Sequence, residues 1–171
     1  MALPHQLKNL NVYADGNSLM GVIEEVALPK LARKMEAFQG GGMVAPVDVD
    51  LGLEKLELGL TCGGGYVLEI IKQFGLGKAN GALVRYAGAY QRDDTGDVAS
   101  VEIVTRGRYS EIDFGSAKVG DKSTVKATVS LSYYKLIVDG VVLIEVDALA
   151  FIYIVNGVDM LDKQRKAIGL A

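Results

Sequence analysis

The residue types that carry most protein chemistry are scarce in this chain of 171 residues. It has one histidine, His5, and one cysteine, Cys62. These two residues cannot form a His/Cys metal cluster or a disulfide framework. Cys62 ends an alternating segment on its apolar side, and its only possible histidine base lies near the N-terminus. We therefore expect a buried small hydrophobe rather than a nucleophile.

Carboxylates offer two further candidate sites. Asp93, Asp94 and Asp97 could in principle bind a hard cation, but their spacing does not complete an EF-hand loop, and a solvated hairpin turn is favoured. Glu24 and Glu25 are adjacent in an expected strand. Because neighbouring strand residues point to opposite faces, these two cannot act as an acid/base pair.

Two runs of three glycines, Gly40–Gly42 and Gly63–Gly65, suggest phosphate-binding loops. Neither run has the G-x-G-x-x-G spacing, and no Walker loop precedes Lys78. Turns or close backbone approaches are the better interpretation. We expect no catalytic residue, no cofactor and no metal site.

Alternation of apolar and polar residues dominates the rest of the chain and predicts strands joined by hairpins. Asp15-Gly16, residues 93–97 and Asp139-Gly140 are the expected turns. The expected strands cover residues 10–13, 19–28, 51–62, 81–92, 98–108, 125–133 and 141–155, with a polar loop over 110–121. The pattern predicts a mainly β fold in one domain, 1–171: an antiparallel β sandwich or barrel of two packed sheets.

Two helices are expected beside the strands. Val67, Ile70, Ile71 and Phe74 recur at helical spacing and predict one short inner helix. The segment 159–168 has acidic residues early, basic residues late and a glycine after it, which predicts a C-terminal helix.

The segment from residue 29 to residue 50 shows no settled period. It begins with a basic, potentially helical stretch at Lys30 and continues through Gly40–Gly42 to Pro46. Unstructured loops longer than about 12 to 15 residues are usually functional or disordered. This long extended loop is therefore the first functional candidate.

Composition indicates a protein that assembles. Half of the residues are apolar, mean hydropathy is +0.24, and 18 basic against 21 acidic residues give a net charge of −3. The even charge distribution argues against a nucleic-acid-binding surface. No apolar stretch approaches the roughly 20 residues of a membrane helix or forms a signal peptide, so we expect a soluble protein with no membrane anchor. The apolar excess favours surfaces covered by partners over a monomer with a generous core.

Blocks along nearly the whole chain resemble the major tail tube proteins of contractile-tailed bacteriophages and R-type pyocins. These blocks are Asn11-Val-Tyr-Ala-Asp-Gly-Asn-Ser18, Leu28-Pro-Lys-Leu-Ala-Arg-Lys34, Gly40-Gly-Gly-Met43, Ala45-Pro-Val-Asp-Val-Asp-Leu-Gly-Leu-Glu54, Ala87-Gly-Ala-Tyr-Gln-Arg-Asp-Asp-Thr-Gly96, Arg106-Gly-Arg108, Glu111-Ile-Asp113, Tyr133-Tyr-Lys-Leu136, Asp139-Gly140, Val155-Asn-Gly-Val-Asp-Met-Leu161 and Ile168-Gly-Leu170.

The resemblance implies a structural subunit without catalysis. Hexameric rings would stack into a hollow tube inside a contractile sheath, and contraction would drive the tube through the bacterial envelope. The lumen would conduct DNA in a phage or ions in a pyocin. Implied partners are other copies of the chain, the sheath protein, the tape-measure protein, baseplate and terminator proteins, and DNA passing without specific binding. The subunit would be assembled in the bacterial host cytoplasm and reside in a virion tail or tailocin.

The resemblance also assigns roles to individual residues. Neighbouring subunits would join their sheets edge to edge, and segment 29–50 would contact adjacent subunits and rings. Its expected contact residues are Lys34, Gly40, Gly41, Gly42, Met43, Val44, Pro46 and Val47. The expected lumen-facing residues are Glu24, Glu57, Glu102 and Lys126, with Glu25 as the alternative to Glu24.

Two other classes of function remain open at this point. One is a type VI-like effector-delivery tube, which shares the ring architecture. The other is a small β-barrel ligand-binding module, whose sandwich would hold a dry cavity. An enzyme ranks third, because no catalytic constellation is found.

Overall fold

The computed structural model describes residues 1–170, which fold mainly into β-strands. The strands are β1 (Gln6–Ala14), β2 (Asn17–Ser18), β3 (Ile23–Ala27), β4 (Arg33–Phe38), β5 (Val47–Leu53), β6 (Leu56–Gly63), β7 (Ala82–Gln91), β8 (Val98–Asp113), β9 (Thr124–Val138), β10 (Val141–Asp147), β11 (Ile152–Val155) and β12 (Val158–Asp159). The helices are α1 (Leu68–Gln73) and α2 (Asp162–Ala167). Across residues 1–170, neither helix is long and apolar enough to span a membrane.

Ten strands form one sheet, and β4 with β5 forms a separate hairpin. Every strand pairing is antiparallel, as the alternation predicted. Strand β9 is the branch point of the sheet. It pairs with β8 along one edge, while its other edge pairs first with β6 and then with β10.

The sheet folds over on itself to enclose one core. Inward-facing residues of β1 and β7, such as Val12 and Val84, belong to the same buried cluster as Leu58 of β6 and Val129 of β9. Burial of these aliphatic side chains is the main favourable term in folding. The expected antiparallel sandwich of two packed layers is confirmed, and both layers belong to one continuous sheet.

Gly107 lies where β8 bends between the two layers. It pairs with Leu131, next to a register shift at Arg106. A Cβ at this position would lie 2.1 Å from the Ser130 carbonyl oxygen. The bend therefore requires a residue without a side chain.

The two predicted helices are present, and each is shorter than expected. Helix α1 closes one end of the sandwich with Val67 and Ile70 buried. The predicted face is only half right, because Ile71 and Phe74 are solvent-exposed. Helix α2 ends before Gly169, whose φ of +83° fits the expected stop.

Turns were predicted better than strand lengths. Asp15-Gly16 and Asp139-Gly140 have positive φ at both positions, which a type I′ turn requires. The strand expected over 19–28 is wrong in extent, because only Asn17–Ser18 returns along β1 and the chain then crosses to β6 as β3.

Three other segments differ from expectation. Segment 51–62 divides into β5 and β6, and segment 141–155 divides into β10 and β11. The loop expected from residue 110 is wrong at its start, since β8 continues to Asp113. The potentially helical stretch after Lys30 is also wrong, because residues 33–38 form a strand.

Candidate assembly surfaces

The segment that lacked a period, 29–50, contributes most of a hairpin that projects from the sandwich. Strands β4 and β5 pair from Phe38 opposite Val47 to Arg33 opposite Leu53. Every residue of both strands is exposed. The long loop expected here is therefore ordered by strand pairing, and its side chains lack a core of their own.

One face of the hairpin is largely apolar. Residues directly opposite in an antiparallel pair share a face, so Phe38 lies beside Val47, with Val49 two residues further along the same face. Leu51 follows Val49 two residues further along β5. Glu36, opposite Val49, also lies on this face, and the register shift between Arg33 and Met35 sets Leu53 opposite Arg33 on the other face. Asp48 and Asp50 occupy the opposite face, beside Ala37 and Met35. An exposed apolar face of this kind is a candidate interaction surface.

The hairpin tip is held by contacts within the turn. The Gly40 N–H donates to Met43 Sδ at 3.1 Å, and Gln39 Nε2 donates to the Met43 carbonyl at 3.1 Å. Gly42 has a φ of +83°. The tip thereby presents Val44 fully to solvent. The remaining predicted contact residues, Lys34, Gly41, Pro46 and Val47, lie on the same hairpin.

A second surface is the layer formed by β3, β6, the first half of β9 and the end of β8. We call these the four-strand layer. Strand β6 pairs with β3 on one side and β9 on the other, and β9 pairs with β8. Strand β7 pairs with β8 only as far as Gly107. Within residues 1–170, the outer edge of β3 and the edge of β8 at Arg108–Asp113 therefore have no partner strand.

The outward face of the four-strand layer is polar. Leu58, Leu60 and Val129 point into the core, so the alternate residues point out. Cross-strand register sets Thr61 beside Lys126 and Glu57 beside Ser130. The outward residues are Glu25 and Ala27 of β3, Glu57, Gly59 and Thr61 of β6, Lys126, Thr128 and Ser130 of β9, and Arg108, Glu111 and Asp113 of β8.

This polar face carries mixed charge. Four carboxylates lie on it against two cations, and Lys55, just before β6, contacts Glu57 at 3.0 Å. When Lys55 is counted, the net charge of this face is −1 per chain. The face is weakly acidic, with carboxylate and cationic groups interspersed.

The predicted lumen residues fall in three places. Glu57 and Lys126 lie on the polar face of the four-strand layer, and so does the alternative, Glu25. Glu24 occupies a bulge in β3 and forms an ion pair with Lys122 at 2.6 Å. Glu102 lies on the outward face of the other layer, where it forms an ion pair with Arg85. The structure thus brings two of the four predicted residues together.

Sequence reasoning missed Arg108, Glu111 and Asp113 on this face. A register shift between Tyr109 and Glu111 breaks the period of two. The signal that could have found them is the apolar pair Tyr109 and Ile112, which continues the inward face of β8 beyond the bulge.

The burial predicted for Cys62 is confirmed. Cys62 is fully buried, and burial, followed by the nearby Glu24 carboxylate, raises the pKa of its thiol to about 11. Such a thiol is not an activated nucleophile. Within residues 1–170, no cluster of three or more potential metal ligands occurs.

The aspartates of the 93–97 turn are engaged in separate contacts. Asp93 pairs with Lys8 at 2.9 Å, and Asp97 accepts a hydrogen bond from Thr95. The Arg92 guanidinium lowers the pKa of the Asp94 carboxyl below its ordinary value. The carboxylates therefore stabilise a turn rather than converge on a cation.

The interior of the sandwich is filled by side chains. Tyr86, Leu58, Leu60 and Ile70 are among the largest of the fully buried residues. A cleft of about 780 Å³ lies between the hairpin base at Arg33 and α2 at Gln164, and the core residues Leu56 and Val146 form part of its lining.

Comparison with known proteins decides between the remaining alternatives. The sequence model of the family described as phage tail tube protein FII matches residues 4–169. The chain belongs to the phage tail tube protein family. It is 43% identical over 172 residues to the tail tube protein of Escherichia phage P2, with 99% of this chain and 100% of the relative covered. It is 40% identical over 173 residues to the major tail tube protein of Serratia phage KSP20, with 99% of each covered.

Solved structures show the same fold as this tail tube protein. A chain of the sheath–tube complex of the extracellular contractile injection system PVC, in its extended state, superposes with a TM-score of 0.54 at 11% identity, covering 78% of this chain and 89% of that one. A chain of the PVC sheath/tube terminator gives 0.53 at 11% identity, covering 76% and 92%. The tail tube protein is a structural subunit of a contractile tail, and its relatives are structural proteins rather than enzymes.

Proposed function

We propose that six copies of this tail tube protein form a ring by joining their four-strand layers edge to edge, and that rings stack into a hollow tube. The observation that carries the proposal is the pair of unpaired edges on one layer, at β3 and at Arg108–Asp113. Unpaired edges are a liability that barrel closure removes.

Strand directions support this closure. The layer is antiparallel throughout, so its two edge strands, β3 and β8, run in opposite directions. When β3 of one copy lies against β8 of the next, the junction is again antiparallel. Six copies with four strands each close a barrel of about 24 strands, roughly 37 Å across at a strand spacing of about 4.8 Å before tilt is included.

The polar face of the four-strand layer then becomes the lumen wall. Small residues such as Gly59 and Thr128 keep the wall smooth, while Glu57, Glu111 and Lys126 provide charge. Sixfold repetition turns each side chain into a ring of six. A weakly acidic wall repels phosphates, so DNA passes without adhering in a phage, and ions pass in a pyocin-like particle.

The hairpin acts as the assembly arm between subunits and rings. Its exposed apolar face gives it a large area to bury, and strand pairing keeps that area pre-ordered. Sheath, tape-measure, terminator and baseplate proteins are the other expected partners of the tube. Assembly takes place in the bacterial host cytoplasm, and sheath contraction drives the finished tube through the envelope.

Cysteine cross-linking of assembled tubes tests the ring junction. In a Cys62→Ala background, Glu25→Cys is combined in turn with Arg108→Cys, Glu111→Cys or Asp113→Cys, and the tubes are oxidised and run on a denaturing gel. At least one pair should give a ladder that stops at six copies. The matched control combines Glu25→Cys with Asn9→Cys on the unpaired edge of β1. A ladder from the control alone, or one that passes six, contradicts this ring.

A further inference from the structure

An apolar patch covers the end of the sandwich opposite the hairpin, and no assigned role accounts for it. Helix α1 turns Val67 and Ile70 into the core but exposes a second set of large apolar side chains. These are Tyr66, Leu68, Ile71, Phe74 and Leu76. We call them the α1 patch. Phe114 and Val119, in the loop between β8 and β9, are also exposed.

The loop between β8 and β9 lies at the same end of the molecule as α1. The Gly64 N–H, just after β6, donates to the Ser123 carbonyl at 3.1 Å. Gly63 also pairs with Thr124, the first residue of β9. The α1 patch and this loop therefore share the end of the four-strand layer where β6 finishes.

The hairpin leaves the opposite end of the same layer. Strand β5 ends at Leu53, and β6 begins three residues later at Leu56. Strand β6 runs for eight residues from Leu56 to Gly63, a length of about 25 Å. One chain thus carries two exposed apolar surfaces, one at each end of a strand in the layer assigned to the tube wall.

The two ends carry net charges of opposite sign. Residues 33–53 of the hairpin contain Glu36, Asp48 and Asp50 against Arg33 and Lys34, a net charge of −1, and Arg33 lies 3.3 Å from Asp50. At the α1 end, segments 64–81 and 114–123 contain four lysines against two acidic residues. Lys72 and Lys78 belong to the first of these segments.

We propose that the hairpin of one copy docks on the α1 patch of a second copy in the next ring. The inference rests on the proposed ring and names the receiving surface that the assembly arm requires. The contact joins two different surfaces, so each added ring presents a fresh copy of the surface just used. Such heterologous contacts at opposite ends generate an open-ended stack.

Two complementary variants test this contact. Phe38→Asp with Val47→Asp inactivates the hairpin, and Ile71→Asp with Phe74→Asp inactivates the α1 patch. All four side chains are exposed in the subunit, so the fold should persist, which circular dichroism checks. Each variant alone should form rings and no tubes. Leu149→Asp, also exposed but outside both surfaces, is the matched control and should form normal tubes.

Mixing the two variants gives the decisive readout by negative-stain microscopy. Hairpin-inactive rings keep a working α1 patch, and patch-inactive rings keep a working hairpin. The mixture should therefore yield paired rings and no longer stacks. Normal tubes from the patch-inactive variant alone would overturn the contact while leaving the ring intact. If the patch-inactive variant folds incorrectly, the single variant Phe74→Ser is used instead. Its tubes should be shorter than those of the unmodified chain, and tubes of equal length would contradict the contact. Failure of the unmodified chain to form rings would instead overturn the proposed function.

Discussion

Phe38 and Val47 face each other across the β4–β5 hairpin, and each remains about 60% exposed, at 60% and 59% respectively. A cross-strand pair of this size normally lies against a core. Here it stands on an arm whose residues are all exposed. This exposed pair supports the proposal that another chain covers the hairpin.

Deleting residues 40–46 should leave a folded subunit that cannot stack. The deletion removes Val44 and the turn beyond the Phe38–Val47 pair, while the residues of the core cluster are untouched. Circular dichroism should match that of the full chain, and electron microscopy should show rings without tubes. Tubes of normal length would show that the hairpin tip does not take part in ring stacking.

Charge reversal at the proposed lumen wall should change transport without changing assembly. Glu57→Lys shifts the wall by two positive charges per copy, so phosphates should be attracted and DNA delivery slowed several-fold. Lys126→Glu should shift ion conductance in the opposite direction from Glu57→Lys. Glu102→Lys, on the outward face of the other layer, is the control expected to leave transport unchanged. Loss of tubes in Glu57→Lys would place that residue in an interface instead.

Gly107→Ala should destabilise the subunit strongly. The added Cβ would approach the Ser130 oxygen at 2.1 Å, and both atoms are held by strand pairing, so we expect a loss of about 3 kcal/mol or more in the free energy of unfolding. Urea unfolding at low protein concentration measures it. Gly41→Ala, where a Cβ would meet no atom within 4 Å, should change the unfolding midpoint little.

Two buried tyrosines should differ in how much stability is lost when the hydroxyl is removed. The Tyr86 hydroxyl lies 2.8 Å from the Tyr90 hydroxyl, so Tyr86→Phe should cost about 1 kcal/mol. The Tyr109 hydroxyl is buried without a hydrogen-bond partner among residues 1–170, so Tyr109→Phe should be neutral or stabilising. Equal destabilisation in the two variants would show that Tyr109 has a partner.

Alkaline pH should weaken the fold partly through Cys62. Its thiol has a folded-state pKa of about 11 against 9.0 for the free group, so both states keep the proton below pH 9. Between pH 9 and 11 the unfolded chain loses it first, which lowers stability by something on the order of 2 kcal/mol. Urea midpoints should fall less steeply over this range in Cys62→Ala. If the urea midpoints of the two proteins fall equally with pH, the loss of stability comes from groups other than Cys62.

Local chemistry made the turns and the core predictable from sequence. Asp139-Gly140 specifies its turn because both positions need positive φ, and Leu58 and Leu60 mark the inward face of β6 by simple alternation. The hairpin could not be predicted in the same way. Val47, Val49 and Leu51 alternate with aspartates on β5, but β4 has no matching alternation and neither strand faces a core of its own chain, so the pairing of the two strands was not recognised.

Bulges hid part of the proposed lumen wall for a different reason. The register shift before Glu111 reverses the alternation that identified Glu57 and Lys126, so the same rule placed Ser110 at the start of a loop. Glu24 shows the opposite case, in which a bulge places a strand carboxylate beside Lys122. Register shifts depend on the partner strand and are not visible in either segment alone.

The most direct test of the account is a cryo-electron microscopy reconstruction of tubes assembled from the unmodified chain, at a resolution that separates strands. It should show six copies per ring, β3 of each copy antiparallel to the Arg108–Asp113 edge of its neighbour, and Glu57 and Lys126 on the lumen wall. A ring closed through the β1 edge, or one with the polar face turned toward the outside of the tube, would contradict it.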